Sequence, residues 1–421
     1  MNKPLNVLVI TYWSYSDPLI QAYTLPYIRI IQRQLPPHSR LVLLTLERQK
    51  SKTHRLEIRN ELAAENIEWI TMQYSSFGLG IVAKWINMLA YLVYFILRNN
   101  ISVLHCWAMP GGAVGYLLSQ LTGRVLIIDS FEPHAETMLE NGTWGRWSVA
   151  YRLLFWLERK QTHKARFLIG ATQRMAEYAK EKYDKEIKEF YVKPACVDLM
   201  LFSEKNLKDE LLLKELNLND KIICVYAGKF GGMYLEQEIF DFFKVAYQYW
   251  GDTFRVLLLS NVTQGKVAAY CTKCGLPTEV LKLVFVPHAI VPQYIGLGDF
   301  AFNPVKPVPS RRYGTPIKDG EYWALGLPVV ITKGISDDSR IIEENEIGAV
   351  LQDLSETEYQ VAVIKIDKLL QKPRKENYES IRAIAEKYRN FEIAERLYKK
   401  IYGKILDPFY DERTFVTPQA E

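Results

Sequence analysis

The sequence predicts an α/β protein made of two successive doubly wound domains. Short apolar runs alternate with helical patterns along most of its 421 residues, and this alternation is typical of parallel sheets joined by right-handed crossovers. The chain is also too long for one ordinary core and suits two domains of about 200 residues each. Its hydrophobic content of 48% and charged content of 24% are those of a soluble globular protein.

The first series of elements fills residues 1–200, which we assign to a first Rossmann-like domain. Its strands are short apolar runs, and its helices show the apolar spacing of amphipathic segments. The longest apolar run, 85–97, has 13 residues and falls short of the about 20 needed to cross a bilayer, so we interpret it as a core helix. The predicted strands are residues 5–11, 40–46, 66–72, 102–106, 125–129 and 166–170, and the predicted helices are residues 25–34, 82–97, 111–120 and 149–163.

A second series fills a C-terminal Rossmann-like domain over 221–390. Between the two domains, residues 201–220 are rich in Lys, Glu, Asp and Asn and are interpreted as a linker. The segment 391–421 holds the end of a last helix near 377–405 and a polar tail at 411–421, and its packing against the first domain is left open. Two such domains place a cleft between the carboxyl ends of their strands, where ligands bind. The predicted strands of this series are residues 221–226, 254–259, 283–286, 299–303 and 329–332.

The most informative stretch is 310–330, a Gly/Pro/Thr loop that enters a helix and then, after Gly326 and Pro328, an apolar strand. A loop that enters a helix in this way offers free backbone N–H groups and the positive end of the helix dipole to an anion such as phosphate. Lys318 adds a positive charge at the start of that helix. The carboxylate of Glu321, one turn further, can accept hydrogen bonds from vicinal hydroxyls such as those of ribose. The stretch therefore predicts a nucleotide site.

This stretch resembles the nucleotide-sugar site of the retaining glycosyltransferases of family 4. Weaker similarity to the family extends over 103–105, 164–172, 192–202 and 226–232, so that it covers nearly the whole chain and is densest in the C-terminal half. In the third of these segments Ala195 and Cys196 replace the family's Asn-Gly turn. The matching residues of the main stretch are, in order, Ser310, Gly314, Pro316, Lys318, Glu321, Tyr322, Ala324, Gly326, Pro328 and Val329.

The resemblance implies the GT-B fold, which is two facing Rossmann-like domains, with a UDP- or GDP-sugar donor held mainly by the second and no cofactor or metal. Lys229 occupies the position of the family's phosphate-binding arginine, with Gly228 before it and Gly231 after it. The family's second basic residue has no counterpart in the residues that follow, so Lys318 is the candidate for the missing charge. Glu321 occupies the position of the family's ribose-binding glutamate.

The chain departs from the family at Tyr313, which replaces a glutamate that faces the donor sugar in many members. Contact with the sugar then falls to the backbone N–H groups around Gly314 and Thr315, or to a residue that the sequence does not identify. The identity of the sugar is therefore not predicted, although the case for a nucleotide sugar does not depend on it.

In the first domain, His134 and Glu132 follow the strand 125–129, where loops face the cleft. Family enzymes often have a histidine near this strand end, so both residues are candidates for contact with the sugar or the acceptor hydroxyl. Either could accept the acceptor's proton, which leaves late in the reaction. His105 is a weaker candidate because it can simply end its strand. Retaining transfer in this family has no agreed side-chain nucleophile, and none is assigned.

Other classes of function are excluded by composition and spacing. A net charge of +5 is too small to indicate nucleic-acid binding. The glycines of 78–83 match a dinucleotide fingerprint, but they lie too far beyond the predicted strand and lack the expected acid about 20 residues on. His134 and Glu136 with Cys271 and Cys274 are similar to a zinc deaminase pattern, but the single cysteine pair lies in the other predicted domain.

The predicted location is the cytoplasm. Five scattered cysteines do not suggest a disulfide framework, and the first strand follows a single lysine rather than a signal peptide. The segment 149–166 is basic and aromatic, with Arg152 and Arg159 near one face. Such a helix either lies on the anionic inner face of a membrane or packs as an ordinary surface helix, and both interpretations are left open.

The resemblance thus predicts a retaining, metal-independent glycosyltransferase. It would move a sugar from a UDP- or GDP-sugar to a hydroxyl of a glycan or lipid-linked acceptor, in the synthesis of bacterial surface polysaccharide or glycoconjugate. Two alternatives stay open. Replacement of the family's glutamate by Tyr313 is compatible with a non-catalytic GT-B scaffold or binding protein. A sugar-nucleotide epimerase would need carboxylates on both sides of the sugar, which the sequence does not show.

Overall fold

A computed structural model describes residues 3–48, 52–74 and 81–407. The chain divides into two compact units: unit 1 comprises residues 1–135, 146–193 and 392–421, and unit 2 comprises 136–145 and 194–391. The segment 201–220 belongs to unit 2, and the last helix belongs to unit 1. The glycines of the 78–83 motif and the tail 411–421 lie outside the described residues.

Each unit is built on one parallel sheet, as far as the described residues go. The strands are β1 (Val7–Ile10), β2 (Leu41–Glu47), β3 (Ile67–Gln73), β4 (Val103–Trp107), β5 (Val125–Phe131), β6 (Phe167–Gly170), β7 (Phe190–Val192), β8 (Ile222–Ala227), β9 (Phe254–Leu259), β10 (Leu281–Val284), β11 (Phe300–Asn303), β12 (Val329–Thr332) and β13 (Gly348–Leu351). The sheet of unit 1 has the order β3-β2-β1-β4-β5-β6-β7, and that of unit 2 the order β10-β9-β8-β11-β12-β13. Two doubly wound, Rossmann-like sheets were predicted, and this prediction is confirmed.

Helices connect successive strands in both units. They are α1 (Leu25–Gln34), α2 (Lys52–Ala64), α3 (Ile81–Arg98), α4 (Ala108–Thr122), α5 (His134–Glu140), α6 (Val149–Lys164), α7 (Arg174–Tyr183), α8 (Glu210–Glu215), α9 (Gln237–Trp250), α10 (Gln264–Cys274), α11 (Val291–Ile295), α12 (Ile317–Ala324), α13 (Asp338–Glu344), α14 (Glu356–Leu370), α15 (Arg374–Arg389) and α16 (Glu392–Leu406). Because these helices cover the sheets, central strands such as β1 and β12 are buried along their whole length. Strands that are buried on both faces are continuous apolar runs rather than alternating apolar and polar residues. This is why they could be predicted from the sequence.

The last predicted helix, 377–405, is in fact two helices. α15 ends at Arg389, Asn390 adopts an extended backbone with φ −70° and ψ 138°, and α16 begins at Glu392. The Val197 N–H donates to the Arg389 carbonyl oxygen over 2.8 Å, so the chain is paired here with another strand-like segment. The break coincides with the point where the chain passes from unit 2 to unit 1. The spacing of apolar residues along the helix gives no sign of this passage, so the break was not predicted.

Helix α3 is only partly the core helix that its apolar run predicted. Leu92 and Ile96 are buried, whereas Ile86 and Tyr94 are about 60% exposed. The run is apolar on every side, but only one face of the helix packs against unit 1. Among the described residues, no helix combines the length and the apolarity that crossing a membrane requires.

A buried polar cluster joins the centre of the unit 1 sheet to α16. The Asp129 carboxylate lies 3.2 Å from the Lys193 ammonium and 3.3 Å from His105 Nε2, and it accepts a 2.6 Å hydrogen bond from the Tyr398 hydroxyl. Burial opposes ionisation of Asp129, but Lys193 and the hydrogen bonds outweigh it and lower the pKa of this carboxyl. The cluster therefore holds a buried ion pair that anchors α16 in its unit.

Candidate functional site

Three loops of unit 2 leave the carboxyl ends of adjacent strands β8, β11 and β12. They span residues 228–236, 304–316 and 333–337. In a doubly wound sheet, strand order reverses between β8 and β11, and this reversal is where the fold opens a crevice for ligands. The sequence motif 310–330 therefore folds at the expected end of the sheet.

Helix α12 is fixed against two of these strands by buried hydrogen bonds. The Ala227 N–H at the end of β8 donates to the Tyr322 hydroxyl oxygen over 3.0 Å. The Asn303 side-chain amide at the end of β11 donates to Asp319 Oδ1 over 2.6 Å. Pro316 precedes the helix and supplies no capping side chain, so the first N–H groups of α12 face the loops without a side-chain acceptor from that position. This arrangement suits an anion at the helix start.

Lys318 and Glu321 lie together on α12. The Lys318 ammonium is 2.6 Å from Glu321 Oε2, and the Glu321 side chain is only 4% exposed whereas that of Lys318 is 29% exposed. The second carboxylate oxygen, Oε1, has no hydrogen-bond partner among the described residues. Glu321 can therefore accept hydrogen bonds from hydroxyl groups of a ligand through Oε1. The positive charge of Lys318 is already partly balanced by Glu321.

Lys229 lies two residues beyond the buried end of β8 and is exposed. No carboxylate of the described residues forms an ion pair with its ammonium, while its carbonyl oxygen accepts from the Tyr226 hydroxyl. The turn needs its glycines: a Cβ at Gly228 would lie 2.9 Å from the Tyr226 hydroxyl oxygen, and Gly231 has φ +81°, a region that favours glycine. The loop thus presents a free cation on a tightly folded turn.

Tyr313 ends the single turn Pro309–Arg312, and its N–H donates to the Ser310 carbonyl oxygen over 3.2 Å. The two residues that follow, Gly314 and Thr315, lead into α12, and the Thr315 hydroxyl lies 3.3 Å from the Ser336 hydroxyl of the loop after β12. The proposed sugar-contacting backbone is therefore tied to a second loop at the same end of the sheet.

Behind α12 lies a buried cluster that the sequence did not reveal. Arg389 Nη2 lies 2.5 Å from Asp338 Oδ1, and the guanidinium carbon is 5.1 Å from the centre of the Trp323 ring. Asp319 lies beside Asp338, whose negative charge acts together with burial to raise the pKa of Asp319. Burial is the main cause that raises the pKa of both carboxyl groups, and Arg389 only partly offsets it. The first turn of α12 therefore does not present a full negative charge to an anion.

Arg311 is a second feature that the sequence analysis passed over. Its Nη2 donates to the Thr137 hydroxyl over 2.9 Å and to the Ser310 hydroxyl over 3.1 Å, and its Nη1 lies 3.5 Å from the sulfur of Met233. All of these residues belong to unit 2. The signal available in the sequence was an Arg-Arg pair immediately before the matching Tyr-Gly-Thr-Pro, in a loop that follows a strand.

The predicted residues of the first domain belong to unit 1. His134 Nδ1 lies 3.2 Å from Glu132 Oε1, and both side chains are partly exposed, at 19% and 34%. A histidine paired with a carboxylate in this way can take up a proton. His105 is instead fully buried in the Asp129 cluster, with Nδ1 2.9 Å from the Tyr402 hydroxyl, so its part is in the packing of unit 1. Over the described part of the chain, no group of three or more His, Cys, Asp or Glu side chains could hold a metal ion.

Comparison with known proteins adds two findings. Residues 308–398 match the model of the glucosyltransferase 3-like C-terminal domain, and no curated protein matches the chain. Among solved structures, HepE of Anabaena in complex with UDP superposes with a TM-score of 0.70 at 14% identity, over 94% of this chain and 99% of that one. HepE has also been solved with UDP-glucose.

Two further structures are similar over almost their full length. Sucrose-phosphate synthase of Thermosynechococcus elongatus gives a TM-score of 0.69 at 12% identity, over 96% of this chain and 100% of that one. WaaG, a glycosyltransferase of lipopolysaccharide biosynthesis, gives 0.69 at 13% identity, over 95% and 100%. The matched segment 308–398 contains α12 and most of its buried support. The chain therefore has the GT-B fold of glycosyltransferases, and its residues 308–398 are similar to the glucosyltransferase 3-like C-terminal domain.

Proposed function

We propose that this protein is a retaining glycosyltransferase of the family 4 type. It transfers a sugar from a UDP- or GDP-sugar to a hydroxyl group of a glycan or lipid-linked acceptor, in the synthesis of bacterial surface polysaccharide or glycoconjugate. The observation that carries the proposal is α12, whose open N-terminus, buried Glu321 and neighbouring Lys318 lie at the ligand-binding end of the unit 2 sheet. Support comes from the match of 308–398 and from the UDP and UDP-glucose complexes of HepE.

The reaction breaks the bond between the sugar's anomeric carbon and a phosphate oxygen, and forms a bond from that carbon to the acceptor oxygen. Negative charge grows on the departing diphosphate, and cations and amides placed there in advance stabilise it. In this chain Lys229 and the first N–H groups of α12 stabilise the charge on the diphosphate. Glu321 Oε1 accepts hydrogen bonds from the ribose hydroxyls. The acceptor's proton passes to His134 or Glu132. The backbone around Gly314 and Thr315 contacts the sugar.

The direct test is nucleotide release. On incubation with a panel of nucleotide sugars, we expect slow release of UDP or GDP from one donor, because transferases often hydrolyse their donor when no acceptor is present. Since the diphosphate is met by basic groups and amides, release should continue in EDTA. Release that stops on chelation and returns with manganese would show that the diphosphate is held by a metal. No release from any donor, with no shift of the melting temperature by UDP, GDP, ADP or dTDP, favours a non-catalytic protein.

A peripheral membrane contact through α6 is part of the proposal. On this helix and just before it, Trp147, Val149, Leu153 and Trp156 are exposed by between 49% and 85%. The basic residues Arg152, Arg159 and Lys160 are exposed beside them, and the helix's single acid, Glu158, is fully buried. Helix α6 thus exposes apolar and basic side chains and no acid of its own, which suits the interface of an anionic bilayer, although Arg159 Nη2 lies 4.0 Å from the exposed Asp184 carboxylate.

We therefore expect the double variant Arg152→Glu and Arg159→Glu to lose binding to anionic vesicles by about tenfold or more, since each basic residue near such a surface contributes about 1 kcal/mol. The measurement is co-sedimentation at low salt, where the attraction is least screened. The control is Lys375→Glu with Lys387→Glu on α15 of unit 2, both exposed. If the parent protein does not sediment with vesicles at low salt, α6 is an ordinary surface helix.

A further inference from the structure

The loop after β11 carries an arginine, Arg311, that contacts both neighbouring loops. Arg311 lies in the turn Pro309–Arg312. Its carbonyl oxygen accepts from the Ser336 N–H of the loop after β12 over 3.0 Å, and its Nη1 contacts Met233 of the loop after β8. Arg311 therefore touches the loops that leave both neighbouring strands, at the place where the sheet order reverses.

The guanidinium has no carboxylate partner among the described residues. Its contacts there are two hydroxyl groups and one sulfur, and its Nε is buried without a hydrogen-bond partner. Arginines inside proteins usually meet a carboxylate, as Arg389 meets Asp338 in the same unit. Both N–H groups of Nη2 are used by the two hydroxyls and Nε is buried, so Nη1 keeps one N–H and the guanidinium keeps a charge that no carboxylate balances. This suits an anion that arrives with a ligand.

Two other cations near these loops are less available. Lys318 is held 2.6 Å from Glu321. The charge of Lys306 acts on the Glu236 carboxylate, whose pKa it helps to lower after the larger effects of Tyr270 and Lys266. Lys229 is free but is a single point charge, whereas the diphosphate of a nucleotide sugar carries two negative charges and gains more as the sugar leaves.

We propose that Arg311 is the second phosphate-binding cation of the donor site and acts with Lys229 on the diphosphate. This inference rests on the proposed function and deepens it. Arg311 would bind a phosphate oxygen through its charge and Nη1, while the Thr137 and Ser310 hydroxyls hold Nη2 in place. Lys318 then serves mainly to hold Glu321.

Titration calorimetry with uridine, UMP and UDP, and with the guanosine series, tests this role. Arg311→Gln should weaken UDP or GDP binding by about tenfold to a hundredfold, the range of a charge-assisted hydrogen bond. It should weaken the monophosphate less and leave the nucleoside unchanged. Arg311→Lys keeps the charge but not the shape of the guanidinium or its hydrogen bonds to the two hydroxyls, so its affinity should lie between those of the parent and Arg311→Gln. The matched control is Arg312→Gln, which removes the same charge from the exposed neighbouring residue of the same turn and should bind UDP like the parent.

Two results would overturn the inference. Equal UDP affinity for Arg311→Gln and Arg312→Gln would mean that the phosphates do not reach Arg311. Loss of uridine binding as large as the loss of UDP binding would mean that Arg311 only supports the fold of the loop, which the melting temperature would also report. A parent protein that binds neither nucleotide series removes the proposed function and this inference together, so the two failures are distinguishable.

Discussion

Glu321→Gln is expected to weaken the binding of UDP, UMP and uridine alike, by about tenfold or more. The change keeps the shape of the side chain, but it removes charge-assisted hydrogen bonds to the ribose hydroxyls that are worth roughly 1.5–3 kcal/mol. The loss should be uniform because all three ligands carry the ribose. Lys318 loses its partner, but at 29% exposure it can turn toward solvent. Titration calorimetry measures the three affinities, and the guanosine series replaces the uridine series if guanine is the base.

Two companion variants make this result specific. Lys229→Ala should weaken the diphosphate far more than the nucleoside, because its partner is the phosphate. Glu344→Gln removes an exposed ion pair of similar length, 2.9 Å to Arg340, from the neighbouring helix α13, and should leave all affinities unchanged. If Glu321→Gln binds every ligand like the parent, its carboxylate serves only to pair Lys318, and our assignment of the ribose site fails.

Arg389→Met is expected to destabilise the protein by about 3–5 kcal/mol, the usual loss when one partner of a buried ion pair is removed. Asp338 would be left buried without its cation, beside the carboxyl of Asp319 and under α12. Lys387→Met is the matched control, because Lys387 lies on the same helix and is exposed. Such surface changes usually stay within about 0.5 kcal/mol. Denaturant unfolding of the two variants measures the difference.

The loss caused by Arg389→Met should grow as the pH rises. The pKa of the Asp319 and Asp338 pair is raised in the folded protein, chiefly by burial, so the native state holds a proton that the unfolded chain gives up. The pair's favourable contribution is therefore present at low pH and is lost as the pH rises through the folded-state pKa. Without Arg389 no cation offsets the negative charge that forms when both Asp319 and Asp338 are ionised. Unfolding measured from about pH 5 to about pH 9 should show a steeper fall than in the parent, and a loss that is constant with pH would contradict the raised pKa of the pair.

Much of the fold could be read from the sequence because buried parallel strands leave continuous apolar runs. Strand β12 and helix α1 begin and end where they were predicted, at 329–332 and 25–34. Strands β7 and β13 were not predicted, and both lie at the edge of a sheet; no residue of β7 is buried, so it leaves no continuous apolar run. The core helix predicted at 82–97 matches α3 in position but not in burial, since apolar residues on every side do not say which face will be covered.

The candidate site divides in the same way. The spacing of Lys318 and Glu321 on one helix is local, so the sequence alone determined that they would meet, and it also placed the loop before α12 at the end of a strand. The structure alone decided that Lys318 is paired with Glu321 while Arg311 lacks a carboxylate. It also decided that Asp319 and Arg389, 70 residues apart, share one buried cluster. Local pattern fixes which side chains a helix or turn presents, but the charges that face one another depend on which elements pack together, and only the tertiary structure contains that information.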